Sequence, residues 1–367
     1  MVIYMKLYSK KKNCCGCGAC VDCCPEKAIR MIQDREGFYY PRTDKTVCKN
    51  CGKCVHVCPL KEQKWIECDN LYLGVQVKDD RIRYSSSSGG VFSVLSDYVL
   101  QKQGVVYGAA YDDHMKVVHK AVEERAKLEQ IKGTKYVQSD MTGIYRSIER
   151  NLKEGRWVLF CGTPCQAQAL MLYLRRTYDR LIIVDLVCYG VPSPGVWRDY
   201  VSCLEGWHSG TMSMFSFRDK RNKDNGHMCS YVVEGKEYAV SLHDDFFCKI
   251  YFRNRMLRPS CHVCTFCTVN RKSDFTIGDF WGLEGCKPEW DDGMGTSMVM
   301  LHTDKAKNIW DEIRQKTRWF VCMKEDLMQP RLLMPTAVAG SRWRFFMLYR
   351  IVPFSIMVKL LNRFRFL

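Results

Sequence analysis

The sequence of 367 residues has no run of about 18 uninterrupted apolar residues and no apolar stretch of signal-peptide length at its start, where Met1 to Asn13 carries four lysines. These absences argue against a membrane-spanning helix and a secretory leader, and a cytoplasmic location is expected. There is no glycine-rich Walker sequence, no C2H2 zinc-finger spacing and no aromatic-basic motif, so nucleic acid is not expected as a partner despite a net charge of +16. Charge of that sign alone fits an anionic cofactor, an acidic protein or a membrane surface equally well. No GxGxxG follows a strand-like segment, which weakens a standard nicotinamide site. A C-x3-C-x2-C triplet is also missing, which speaks against a radical-SAM cluster.

What the chain does have is cysteine, 22 residues of it. A reducing compartment keeps thiols reduced and favours metal ligation over disulfides. With 47% hydrophobic, 12% aromatic and 26% charged residues, the composition is that of a globular protein, and the length suggests two or three domains.

The cysteines cluster. Cys14, Cys17, Cys20 and Cys24, followed by Pro25, recur 34 positions later as Cys48, Cys51, Cys54 and Cys58, followed by Pro59. Both halves read C-x2-C-x2-C-x3-C-P, in which three close thiolates wrap one cluster and the fourth cysteine crosses to the other. The expected sets are Cys14, Cys17, Cys20 and Cys58 for one [4Fe-4S] cluster, and Cys48, Cys51, Cys54 and Cys24 for the second. Gly16, Gly18 and Gly52 are expected where the backbone approaches cluster sulfides. Zinc modules present paired C-x2-C units instead of such triplets. Cys15 and Cys23 fall outside the pattern, as packing residues or neighbours of a cluster.

Beyond Asn70, Leu71 to Val77 reads as a strand, and Ser85 to Gly90 as a serine-glycine loop entering a helix whose apolar face is Val91, Phe92, Val94, Leu95, Tyr98 and Val99. Such a loop either receives a phosphate through free amides or simply caps the helix. Trp157 to Phe160 forms a strand leading into Cys161-Gly162-Thr163-Pro164-Cys165-Gln166. Thr163 and Gln166 make a capping box with Pro164 at the first helical position, which puts Cys165 in the first turn, where the helix dipole favours a thiolate. Leu181 to Val187 is the next strand, so Cys165 and Cys188 are expected to face one crevice at the carboxyl edge of a parallel sheet. Cys261 and Cys264 form a C-x2-C pair. Together these four would complete a third cluster, with Cys161 and Cys267 as competitors and zinc as an alternative metal. The tail from Ser341 to Leu367 holds six Arg or Lys residues and no acids, and is expected to dock as an amphipathic helix, with an anionic membrane surface as the alternative.

The later motifs resemble the beta-subunit family of coenzyme F420 hydrogenases and dehydrogenases in the form with an N-terminal ferredoxin module. The resemblance rests on Ser87-Ser88-Gly89-Gly90, Lys135-Tyr136-Val137-Gln138-Ser139, Gly162 to Gln166, Asp185 to Pro194, Phe217-Arg218-Asp219-Lys220, the Cys261/Cys264 pair and Gly278 to Gly282. It implies an α+β fold, with a bacterial-type dicluster ferredoxin module ahead of an α/β flavin-binding domain. The expected segments are 1–68, 69–150, 151–340 and a basic tail at 341–367. It further implies FAD, with Ser88, Gly89, Gly90, Lys135 and Gln138 as its contacts, and favours Cys165, Cys188, Cys261 and Cys264 as inner cluster ligands. Tyr189 stands where the resemblance would place histidine, which weakens a proton-relay role at that position and leaves the cluster unaffected. The expected activity is an oxidoreductase linking a hydride carrier, FAD and the clusters, with a redox protein or hydride-carrying cofactor as partner. A non-catalytic electron-transfer subunit and a reductase of an organic substrate are the competing readings.

Overall fold

A computed structural model describes residues 4–61, 69–221 and 228–363. The N-terminal module is built on strands β1 (Tyr4–Lys6), β2 (Ile29–Gln33) and β3 (Tyr39–Asp44), antiparallel in the order β1-β3-β2. Its duplication is written in the backbone. The one-turn helices Ala19–Asp22 and Lys53–His56 are preceded by left-handed glycines, Gly18 at φ 80° and Gly52 at φ 74°. Cys24 donates its N–H to Val21 as Cys58 does to Val55, and Lys27 donates to Cys24 as Lys61 does to Cys58. Glycine is required before both helices because a Cβ disfavours positive φ.

The larger unit begins with β4 (Leu71–Val77), β5 (Val105–Tyr111), β6 (Val117–Val122), β7 (Val158–Gly162) and β8 (Leu181–Leu186). A separate antiparallel meander follows, β9 (Met212–Asp219), β10 (Met228–Val233) and β11 (Lys236–Ser241), before the chain returns as β12 (Phe275–Asp279), β13 (Ser297–Leu301) and β14 (Thr317–Val321). The resulting eight-stranded sheet has the order β14-β4-β13-β12-β8-β7-β5-β6. Its centre, β12-β8-β7-β5, is parallel, and the pairings outside it are antiparallel. Strands from residues 69–150 and from residues 151–340 interleave in this one sheet. Its central strands are nearly continuous apolar runs because helices cover the sheet, as parallel strands require. One cover is the helix Val91–Gln101, whose Val91, Val94, Leu95, Tyr98 and Val99 are buried.

The module is bound to this unit by polar contacts in its loops. Both carboxylate oxygens of Asp22 accept N–H groups at the start of the helix Ile144–Lys153, from Gly143 at 2.9 Å and Tyr145 at 3.1 Å. Ser193 donates to the Glu36 carbonyl at 2.6 Å, and the Gly195 N–H reaches the Gly37 carbonyl at 3.1 Å. The basic tail docks, forming the helices Arg342–Ile351 and Phe354–Arg363 around Pro353. Phe345, Phe346, Phe354, Met357 and Val358 enter the same core as Phe38 and Trp197, and Arg342 pairs with Glu36 at 2.8 Å. No helix among the described residues is long and apolar enough to cross a membrane.

Gly37 and Gly143 both have positive φ, 80° and 82°. A Cβ on Gly37 would lie 2.7 Å from the Gly195 Cα, whereas one on Gly143 would meet nothing within 4 Å. Gly143→Ala should therefore cost about 1 kcal/mol of backbone strain and Gly37→Ala clearly more. Thermal unfolding of the two variants compares them, and equal losses would mean that the module's approach to residue 195 relaxes freely.

Candidate metal centres

Cysteine thiols line two pockets. The first lies inside the module and is bordered by Cys14, Cys17, Cys20, Cys54 and Cys58 beside Gly16 and Gly18. Burial pushes the Cys20 thiol well up, and Cys14 and Cys58 are among the neighbours that add to it. Burial also raises Cys54, whose thiol neighbours are Cys48, Cys24 and Cys51. The fourth cysteine of each loop thus stands with thiols of the other loop, the arrangement that a crossed pair of clusters needs.

The second pocket opens at the carboxyl edge of the large sheet. The parallel register of β7 and β8, from Val158 opposite Leu181 to Gly162 opposite Asp185, brings the loops after both strands to the same place. Cys165 arrives on the first turn of the helix Pro164–Leu174. The helix start is held by the Gln166 side chain, which accepts the Thr163 N–H at 2.9 Å, while the Thr163 hydroxyl lies 3.2 Å from Cys165 Sγ. Cys188 follows β8, and Cys261 and Cys264 come from the turn Pro259–Val263 and the residue after it. Cys267 also borders the pocket, and the module contributes Cys15 and Leu60.

Asp185 and Arg271 pair at 2.8 Å with both side chains buried, and Thr276 donates to the same carboxylate at 2.6 Å. Arg271 also donates to the Leu186 carbonyl at 3.0 Å, which fixes the strand end before Cys188 and leaves a cation on the pocket wall. The hydrogen bond with Cys15 and then burial drive Cys165 well above the ordinary thiol range. Burial does the same to Cys188 and takes Cys261 to about 12. Cys264 differs: its hydrogen bond from Cys267 lowers it, and the same bond raises Cys267. Thiols this crowded become anions only when a cation replaces their protons.

Cys161 is not in this pocket. Burial raises it to about 12 beside Asp185 and Lys135, and its carbonyl meets His119 Nε2 at 3.0 Å. Elsewhere, Cys229, Cys248 and Asp245 form a buried group with the two sulfurs 3.5 Å apart. Both Asp245 oxygens are already used, by Tyr200 and by the Cys248 N–H, in an aromatic core.

Of the five expected flavin contacts, Ser88, Gly89 and Gly90 lie in a loop that meets the segment before Lys135, through Lys132 Nζ to Ser85 Oγ at 2.7 Å and the Thr134 N–H to Ser87 Oγ at 2.8 Å. Ser88 donates to the Thr296 carbonyl at 3.0 Å, and the Gly89 amide is bonded to Ser297 Oγ at 2.9 Å, so this loop packs on the start of β13. Gly90 begins the helix at φ 93°. Lys135 donates to the Gly133 carbonyl at 3.2 Å, and burial lowers it to about 7. Gln138 faces the module, donating to the Cys15 carbonyl at 2.9 Å and to the Gly16 carbonyl at 3.3 Å. Its amide oxygen accepts from Arg258 Nη1 at 2.8 Å. The role of Cys15 shows only in three dimensions, because it borders both pockets and hydrogen-bonds to Cys17 on one side and Cys165 on the other. Lys220, at the end of the Phe217-Arg218-Asp219-Lys220 motif, holds the Arg83, Ser88 and Met294 carbonyls at 2.7–2.9 Å.

Because the Cys165, Cys188 and Cys261 thiols lie above the ordinary range, metal binding must release their protons and strengthen as pH rises. Anaerobic titration of metal-free protein with Cd²⁺ should give an apparent affinity at this pocket that climbs between pH 6 and 8, by up to about tenfold per unit for each proton released. A flat profile would mean that the thiols are already ionised.

Residues 155–325 match the family described as the C terminus of the beta subunit of coenzyme F420 hydrogenase/dehydrogenase, and residues 13–61 match the 4Fe-4S dicluster domain. Among solved structures, the chain is similar to one in the F420-reducing [NiFe] hydrogenase complex from Methanosarcina barkeri, at 18% identity over 81% of this chain and 92% of that one, with a TM-score of 0.46. No curated protein matches. The chain thus joins a 4Fe-4S dicluster domain at residues 13–61 to a domain at residues 155–325 that is similar to the C terminus of the coenzyme F420 hydrogenase/dehydrogenase beta subunit.

Proposed function

We propose that this chain is an iron–sulfur flavoprotein oxidoreductase that moves electrons between a hydride carrier and a one-electron partner. The observation that carries the reading is the contact of the two thiol pockets through Cys15. Cys14, Cys17, Cys20 and Cys58 hold one module cluster, and Cys48, Cys51, Cys54 and Cys24 the other. Cys165, Cys188, Cys261 and Cys264 hold a third, with Cys267 hydrogen-bonded to Cys264. When bound, the clusters supply one-electron steps and a flavin supplies the conversion from a two-electron hydride donor.

The chain's own residues do the rest. Asp185 and Arg271 hold the Cys188 loop, the Thr163 hydroxyl supports Cys165, and Leu60 and Phe266 help to keep water from the third site. Hydrogen bonds to sulfur and nearby cations set how readily each site accepts an electron. FAD is the part of the proposal drawn from the family, since the Ser88 and Gly89 groups and the Gln138 amide already have protein partners. The competing reading, a subunit that only wires a separate enzyme, keeps every cluster residue and drops the flavin. The helix Arg342–Ile351 leaves Trp343, Met347 and Ile351 exposed four residues apart, a surface suited to a peripheral contact.

Anaerobically purified protein should contain about twelve irons, with matching acid-labile sulfide and one flavin, if three four-iron clusters are present. Cys188→Ser should lower iron by about four while the module's share stays. Iron without flavin, and no turnover with hydride donors, would favour the wiring subunit; a colourless preparation without labile sulfide would reject both.

A further inference from the structure

Arg258 is fully buried, with 0% of its surface exposed. Its Nε donates to the Cys14 carbonyl at 2.8 Å, Nη1 to Gln138 Oε1 at 2.8 Å, and Nη2 to the Tyr39 carbonyl at 3.0 Å and to Cys14 Sγ at 3.7 Å. The guanidinium lies over the Tyr40 ring, 4.2 Å from its centroid, and 5.5 Å from that of Phe38. None of these partners is a carboxylate. Neutral carbonyls and ring faces satisfy the hydrogens of a guanidinium but do not balance its charge, and an unbalanced buried charge costs several kcal/mol. Tyr40, Cys15 and Cys261 are also ionisable groups around it, but the Cys14 sulfur, a ligand in the reading proposed above, is the one that its side chain hydrogen-bonds.

The other end of the residue leads to the third site. The Arg258 N–H bonds to the Val191 carbonyl at 2.9 Å, its carbonyl accepts the Cys261 N–H at 2.9 Å, and Pro259 starts the turn that presents Cys261. The packing admits nothing more: a Cβ on Gly16 would come within 2.7 Å of the guanidinium carbon and 2.6 Å of Gln138 Nε2. Arg258 therefore touches the Cys14 loop with its charge and the Cys261 turn with its backbone.

We propose that Arg258 is a positioning and tuning residue whose buried positive charge compensates the centre held by Cys14 and raises its reduction potential, making it the acceptor for electrons leaving the third site. The inference rests on the cluster assignment proposed above. One-electron reduction adds one negative charge at the Cys14 site and takes it from the Cys165–Cys188–Cys261–Cys264 site. A cation beside Cys14 favours the reduced form. A guanidinium does not deprotonate in proteins, so no proton accompanies the electron from this group.

Full-length protein, purified anaerobically, should be compared with Arg258→Gln, Arg258→Lys and Gln138→Glu by iron quantitation and potentiometric titration followed by EPR. Arg258→Gln should lower the one-electron reduction equilibrium of one module cluster by at least about tenfold, a downward shift of about 59 mV. Arg258→Lys should recover most of it. Gln138→Glu, which sets a carboxylate against the intact guanidinium, should lower it too, and decides the matter if Arg258→Gln loses iron. Full iron with unchanged potentials in both charge-altering variants would overturn the proposal, as would an equal drop in Arg258→Lys. Wild-type protein without iron would instead remove the cluster assignment beneath it.

Discussion

The geometry of the thiol pockets depends on one constraint: the first cysteine loop must be pressed against the carboxyl edge of the large sheet. Asp22 holds it from one side by capping the helix Ile144–Lys153, and Arg258 and Gln138 hold it from the other. Hydrogen bonds to charged groups are worth about 1.5–3 kcal/mol each, and more is lost when a buried partner is stranded. These contacts bring Cys15 to Cys165, which joins the module's thiols to those of the sheet. A module tethered only by a linker would have no such contact.

Charge follows the same plan. The thiol pocket at the sheet edge has Arg271 and Arg331 on its wall, and the module pocket has Arg258 behind Cys14. The Asp185–Arg271 pair is buried, and a buried pair is weak evidence for stability because desolvation offsets attraction. Its value here is orientation, since Arg271 also holds the Leu186 carbonyl just before the Cys188 loop. Tyr189, which follows Cys188, has its hydroxyl held by Asn254 and the Phe252 carbonyl.

Spacing alone revealed much. The repeat of C-x2-C-x2-C-x3-C-P announced the dicluster domain that residues 13–61 match, and the backbone of its two cysteine loops repeats with it. The capping residues Thr163, Pro164 and Gln166 located Cys165 on a helix start, and two strand-like runs in parallel order sent Cys165 and Cys188 to one edge. These are local signals, carried by residues within a turn or a loop of one another.

What only the tertiary structure decided is which distant groups meet. Sequence could not choose between Cys161 and Cys267, since both lie near the right motifs; the end of β7 turns Cys161 towards Lys135 and Asp185, while the Cys264 loop carries Cys267 into the pocket. It did not foresee that Gln138 would be consumed by the Cys15 and Gly16 carbonyls, or that Arg258 would reach Cys14 across 244 positions of chain. Such contacts follow from how the module docks, and docking is set by surface shape and buried charge, which leave no periodic trace in the order of residues.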